Sequence, residues 1–221
     1  GPACRSSSGR IWQHCARRDE TRRSHLAALM RRHSYRAFDR VAFQDLTLFA
    51  MPIAQNVTQP SRLAVILIDE MRRRKILLPS VTVIEALVRR ARQQADQLVQ
   101  DVLSADLTPD TRSRLDGILE RRSDRSASWL SWLRNPPLSP ASRNVLRLLE
   151  RLDHVRALKL DASRAATIPR MAFDRLSDEA ARITPQHMAE LPVGRRHAIL
   201  VAGGIRFEEI LTDAALTMMD K

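Results

Sequence analysis

Three times in this chain a hydroxyl residue stands directly before a proline: Thr108-Pro109, Ser139-Pro140 and Thr184-Pro185. Each pair is a helix start with a mechanism. The hydroxyl can accept from a free N–H of the first turn, and proline at the first helical position loses nothing, because its missing donor would be unpaired there anyway. Six glycines, one tyrosine and few β-branched runs leave little from which to build sheet. The chain therefore reads as all-α, a multi-helix array of two or more small helical subdomains with helix-turn-helix-like elements. The proline starts are unequally spaced, which argues against a solenoid repeat.

The stretch before and after Ser139-Pro140 organises the rest. Trp129 to Arg134 reads as a short helix, Pro136-Pro137 as a rigid elbow, and Ala141 through Leu160 as a long amphipathic helix. In that helix Val145, Leu148, Leu149, Leu152 and Val155 recur at three- and four-residue steps and form one apolar face. Arg143, Arg147, Arg151 and His154 recur at similar steps on another. Trp129 and Trp132 suit packing against Leu148 and Leu152 better than stacking on unpaired bases.

Elsewhere, Thr21 can cap a helix through Leu26, Leu29 and Met30. The run from Phe38 to Val57 is apolar on too many sides for an exposed helix and belongs in a core. Thr58 and Pro60 open a helix lined by Leu63, Ile66, Leu67 and Met71, which closes on Arg72-Arg73-Arg74-Lys75, where cations suit the negative end of the dipole. Thr82 with Glu85 fits a capping box that opens the longest helix, running to about Ala105. The expected division is a tail over residues 1–11, a helical subdomain over 12–78, a helical DNA-binding subdomain over 79–160, a linker over 161–168 and a C-terminal helical segment over 169–221. Gly1-Pro2 has the look of a protease-cleavage scar.

Charge decides the class of partner. The 221 residues carry a net charge of +12, from 34 arginines and three lysines against 25 acidic residues, and the pI is about 11.3. A GC-rich genome favours arginine codons, but guanidinium forks also match phosphate oxygens and guanine edges. A basic chain of this kind points to nucleic acid. Cys4 and Cys15 form no CxxC pair, which suits a reducing compartment. The longest aliphatic run, Leu63 to Ile68, is far too short to span a bilayer.

The residues argue against an enzyme. Asp69-Glu70, Asp178-Glu179 and Glu208-Glu209 lie on helical segments among arginines, where ion pairs explain them better than a metal site. The six histidines include no i,i+4 pair, and Gly203-Gly204 lacks the context of a phosphate-binding loop. No metal, cofactor or small-molecule substrate is expected. For DNA, Arg89, Arg90, Arg92, Gln93, Gln94 and Gln97 crowd one helix, and arginine and glutamine can bond guanine and adenine edges in two places. Arg143, Arg147 and Arg151 suit phosphates, as do Arg22, Arg23, Arg72, Arg73, Arg74 and Lys75. Each has the alternative of a solvated helix face.

Three segments resemble the N-terminal region of Tn3-family transposases. Trp12 through Leu26 is similar to "YAxRxxTRREHL", Trp132 through Leu152 to "WLR…P…LLERL", and Leu211 through Asp220 to "LTDxALxMFD". Cys15, Ser24 and Met219 depart from the usual tyrosine, glutamate and phenylalanine. The resemblance implies a bacterial, cytoplasmic, nucleoid-associated DNA-binding module that recognises double-stranded terminal inverted repeats. Strand chemistry would then belong to a separate RNase H-like domain with an acidic triad and magnesium. The alternative is an assembly module, in which apolar faces such as Ile199, Leu200, Ile210, Leu211 and Leu216 join copies or dock that domain.

Overall fold

The computed structural model describes residues 22, 24–30, 32–122, 127–137 and 141–219. Among these the backbone is helical, with no strand and only two isolated bridges, Arg36 with Ile76 and Arg121 with Ser128. After the helical residues 24–30 come α1 (Arg40–Asn56), α2 (Pro60–Arg73), α3 (Val81–Ser104), α4 (Pro109–Gly117), α5 (Trp129–Arg134), α6 (Ser142–Arg156), α7 (Ala162–Ala165), α8 (Arg170–Arg182), α9 (Pro185–Glu190) and α10 (Val193–Met219). The contacts divide the chain into two units, Gly1–Ala50 with Gln59–Arg90, and Met51–Thr58 with Ala91–Lys221.

Local chemistry sets most helix starts. Thr108 accepts from Thr111 N at 3.1 Å and Thr184 from His187 N at 3.3 Å, each followed by its proline. Asp39 caps α1 through Ala42 N at 2.7 Å. Three starts differ from expectation. Gln59, not Thr58, holds the cap position of α2 and makes no side-chain cap bond. The α3 helix opens at Val81, so Thr82 lies inside its first turn and bonds the Ser80 hydroxyl at 2.9 Å instead of capping. Ser139 and Pro140 lie outside the described residues. Ala141 is extended and holds the cap position of α6, so that helix starts later than the hydroxyl–proline pair. Thr21 also lies outside the described residues.

In the first unit, Ala42, Leu46 and Ala50 of α1, Leu63, Leu67 and Met71 of α2, and Ile84, Leu87 and Val88 of α3 are buried. The α1 helix is less enclosed than its composition suggests, since Val41 and Leu48 are 58% and 61% exposed. The end of α2 is fixed by Glu70, a buried carboxylate. It accepts from Arg73 at 2.7 and 2.6 Å and from Arg74 at 2.5 Å. These bonds, Arg73's first, hold the Glu70 carboxyl at about 2 against the cost of its burial. Because the folded value lies below the unfolded one, the stabilisation is complete above about pH 5 and lost as pH falls through 4 towards 2. Glu70→Gln is expected to cost about 1–2 kcal/mol at neutral pH. It should also flatten that acid limb in urea melts taken from pH 6 to pH 2.5; an unchanged limb would remove Glu70 as its source.

The second unit is built around α10. From His197 to Ile205 every residue is buried, so this stretch is enclosed on all sides. It packs on α8, α6 and α4. Leu148, Leu152 and Val155 of α6, Phe173 and Leu176 of α8, and Leu130, Trp132 and Leu133 of α5 complete the core. Residues 161–168 carry α7, whose start is capped by Asp161 through Ser163 N at 2.9 Å, and Ile168 is buried.

Candidate nucleic-acid interface

The α3 helix buries Leu87, Val88, Ala91, Ala95, Val99 and Leu103. The opposite side exposes Arg89, Arg90, Gln93 and Gln97. Arg89, Arg90 and Gln93 have no side-chain partner among the described residues. Gln97 donates to Asp101 at 2.8 Å. Arg92 is half-buried and turned inward, donating to the carbonyls of Val57 (2.9 Å) and Thr58. Gln94 is also half-buried. The outward set without a partner among the described residues is thus Arg89, Arg90 and Gln93.

The basic run after α2 is largely engaged. Arg73 and Arg74 hold Glu70, Arg74 also lies 5.3 Å from the centre of the Phe49 ring, and Arg72 lies 3.5 Å from Asp69. Lys75 is exposed. Arg22 is exposed, and Arg23 lies outside the described residues.

On α6 the expected stripe divides. Arg143 and Arg147 are exposed and unpartnered among the described residues, but Arg151 is only 7% exposed and belongs to the interior. Its Nε donates to Trp132 O at 3.1 Å, one terminal nitrogen to Asn135 O at 3.1 Å and the other to Arg147 O at 3.0 Å. The first two carbonyls end α5, where a helix leaves acceptors unmatched, so Arg151 closes that terminus. Its guanidinium also lies 4.4 Å from the centre of the Trp132 ring. Arg151 is therefore removed from the phosphate set. His154 leaves the stripe as well, stacking on Trp129 at 4.3 Å with an interplanar angle of 8°. Burial first, and Arg122 nearby, push its pKa below the usual histidine value. Arg122 lies 4.6 Å from the Trp129 centroid and 4.3 Å from that of Trp132. The indoles are occupied by protein groups, which leaves base stacking without a platform.

Sequence spacing missed Arg122, whose partner rings lie seven and ten positions away. It also passed over Arg36, Arg40 and Arg62, all exposed and without a carboxylate partner among the described residues.

An open cleft of about 630 Å³ in the second unit is lined by Thr58, Met171, Asp174, Arg175, Asp178 and Arg182 among others. Its charges are paired: Arg175 with Asp96, Arg182 with Asp178 at 3.1 Å, and Asp174 with Arg170 at 3.0 Å. Among the described residues no three His, Cys, Asp or Glu side chains are grouped to hold a metal, and no helix is long and apolar enough to cross a membrane.

The class these features define is an arginine-rich, all-α protein segment. Residues 4–91 match a family model described as a domain of unknown function, DUF4158. Over 214 residues the chain is 31% identical to the transposase for transposon Tn21 of Escherichia coli, covering 95% of this chain and 21% of that protein. It is 31% identical over the same shares to the transposase for transposon Tn3926 of Escherichia coli. Against the transposase for transposon Tn501 of Pseudomonas aeruginosa it is 28% identical over 210 residues, again 95% of this chain and 21% of the relative. The chain thus spans about a fifth of the length of these relatives. It is homologous to the N-terminal fragment of Tn3-family transposases.

Proposed function

We propose that this chain is a double-stranded DNA-binding module that recognises the terminal inverted repeats of a transposon in the bacterial cytoplasm, with strand cutting and joining performed by another part of a longer transposase. The observation that carries this reading is α3, apolar on its buried side and presenting Arg89, Arg90 and Gln93 outward without partners among the described residues. Arginine bonding guanine and glutamine bonding adenine would supply sequence selectivity, while arginines elsewhere supply affinity through phosphates. The homology to transposases supports the same partner.

The test compares a terminal-repeat duplex with a scrambled duplex in fluorescence anisotropy across a salt series. Affinity should fall steeply with salt, by about 0.9 in the log–log slope per phosphate contact. Arg89→Ala with Gln93→Ala should shrink the preference for the repeat by about 1–3 kcal/mol for each bidentate pair lost. A flat salt response ends the reading, and an unchanged preference removes α3 as the reader.

The assembly alternative retains fewer residues than the sequence offered it. Ile199, Leu200 and Leu211 are buried in the second unit's own core, whereas Ile210 and Leu216 are 44% and 57% exposed. Light scattering without DNA separates the two readings: a monomer favours DNA binding and a stable oligomer favours assembly.

A further inference from the structure

The two units use arginine differently. Gly1–Ala50 with Gln59–Arg90 holds 17 arginines and lysines against seven carboxylates, a net +10; the second unit holds 20 against 18, a net +2. The whole surplus of the chain is thus nearly confined to the first unit, where the DUF4158 match also ends, at residue 91.

In the second unit most of the described arginines are engaged internally, Arg143 and Arg147 excepted, and five of them do one job. Arg92 donates to Val57 and Thr58 just beyond α1, Arg114 to Ala157 at the end of α6, and Arg134 to Ala180 in the last turn of α8. Arg151 does the same for the end of α5, and Arg196 for Ala189 in the last turn of α9. Each closes the carbonyl end of another helix, where acceptors are unmatched and the dipole is negative. Most of the others pair with acids: Arg156 with Glu208, Arg164 with Asp106, Arg195 with Glu179 and Arg206 with Glu209.

The first unit closes two helix ends with backbone, a device that the second unit uses after α6, where Lys159 has φ 53°. Ser34 (φ 58°) and Lys75 (φ 52°) take the left-handed conformation after their helices. Tyr35 N then reaches Met30 O at 2.9 Å, and Ile76 N reaches Met71 O at 2.8 Å. These two closures lie together, because Arg36 N donates to Lys75 O at 2.9 Å and Leu77 N to Arg36 O at 2.9 Å. The side chains of Arg32, Arg36, Arg40 and Lys75 are exposed there with no carboxylate partner among the described residues. Asp39 is the nearby acid, and it caps α1. Lysine at the left-handed position is itself informative, since glycine would sit there without steric cost.

We propose that the protein grips the phosphate backbone of duplex DNA mainly with its first unit, at the corner where Arg36 is bridged to Ile76, and that the second unit's arginines serve its own fold. This rests on the DNA-binding reading above and says which surface carries the affinity. The two helix ends at the corner contribute about half a negative charge each, less than is offset by the four cations that lack a carboxylate partner among the described residues.

The test is a salt series on the whole chain with a fluorescein-labelled duplex of mixed sequence, because the phosphate grip is independent of sequence. Arg36→Ala with Lys75→Gly should lower the log–log slope by about 1.8 and weaken binding by at least roughly tenfold at 0.15 M salt. Its melting temperature should be no lower than wild type, since glycine relieves the left-handed backbone. Arg143→Ala with Arg147→Ala is the matched change in the second unit and should lower the slope by less than about 0.9. The inference is overturned if the second pair costs more slope than the first, or if neither moves it, while the DNA-binding reading stands. Wild-type protein that shows no salt-dependent binding overturns both.

Discussion

Replacing Arg151 by alanine is expected to lower the stability of the second unit by about 3–4 kcal/mol, without changing the salt dependence of DNA binding by the protein that remains folded. Two charge-assisted bonds to the carbonyls of Trp132 and Asn135 would be lost, and both acceptors sit where no other described donor reaches them except the weak Asn135 N contact to Trp132 O at 3.4 Å. Bonds to charged groups contribute about 1.5–3 kcal/mol each, and the cation over the Trp132 ring adds about 0.5–2 kcal/mol. For a chain of this size the melting temperature should fall by roughly 10 °C. Trp129 and Trp132 report the event directly, because their rings are 5.5 Å apart in one cluster with Arg122, Arg151 and His154, so their emission should shift to the red before global unfolding. Arg151→Lys keeps the charge but not the fork that spans three carbonyls, and should recover less than half of the loss. A variant as stable as wild type with a shallower salt slope would return Arg151 to the phosphate surface.

The same residue shows what a linear reading can and cannot reach. Thr108-Pro109 and Thr184-Pro185 are legible because cap, proline and receiving N–H lie within four positions of each other. The apolar line Leu148, Leu152 and Val155 is legible because helix periodicity alone places it. On the opposite side periodicity puts Arg143, Arg147 and Arg151 in one stripe, and only the fold distinguishes the third. Two of its acceptors, Trp132 O and Asn135 O at the end of α5, lie 19 and 16 positions earlier in the chain, and no spacing rule within α6 encodes that. Arg92 is hidden for the same reason, since its acceptors lie 34 and 35 positions away. Excess charge is visible in composition, but its division between units is not, because the first unit is assembled from two separated segments. Arg36 and Lys75 stand 39 positions apart and become neighbours through a single backbone bridge.

Gly203-Gly204 is a second pair that reads as one feature and acts as two. Both lie in the enclosed part of α10, where glycine costs about 1 kcal/mol of helix stability relative to alanine. A Cβ on Gly203 would lie 2.5 Å from the Cβ of Ala180 and 3.9 Å from its Cα, on α8. A methyl cannot move without its backbone, so α8 and α10 would have to separate. Gly203→Ala should therefore lose about 1–2 kcal/mol in spite of its better helix propensity, and Gly203→Val about 3 kcal/mol. A Cβ on Gly204 would instead lie 2.4 Å from Leu160 Cδ1, the end of a side chain that can rotate away. Gly204→Ala should be neutral or gain a few tenths of a kcal/mol, so adjacent identical substitutions differ in sign. Combining Gly203→Ala with Ala180→Gly should restore most of the loss, because the methyl is moved from one helix to the other at the same contact. Urea melts of the four variants read this directly. Additive losses in the double variant would show that α8 and α10 are not held at that contact, and equal effects at 203 and 204 would show that propensity alone governs both.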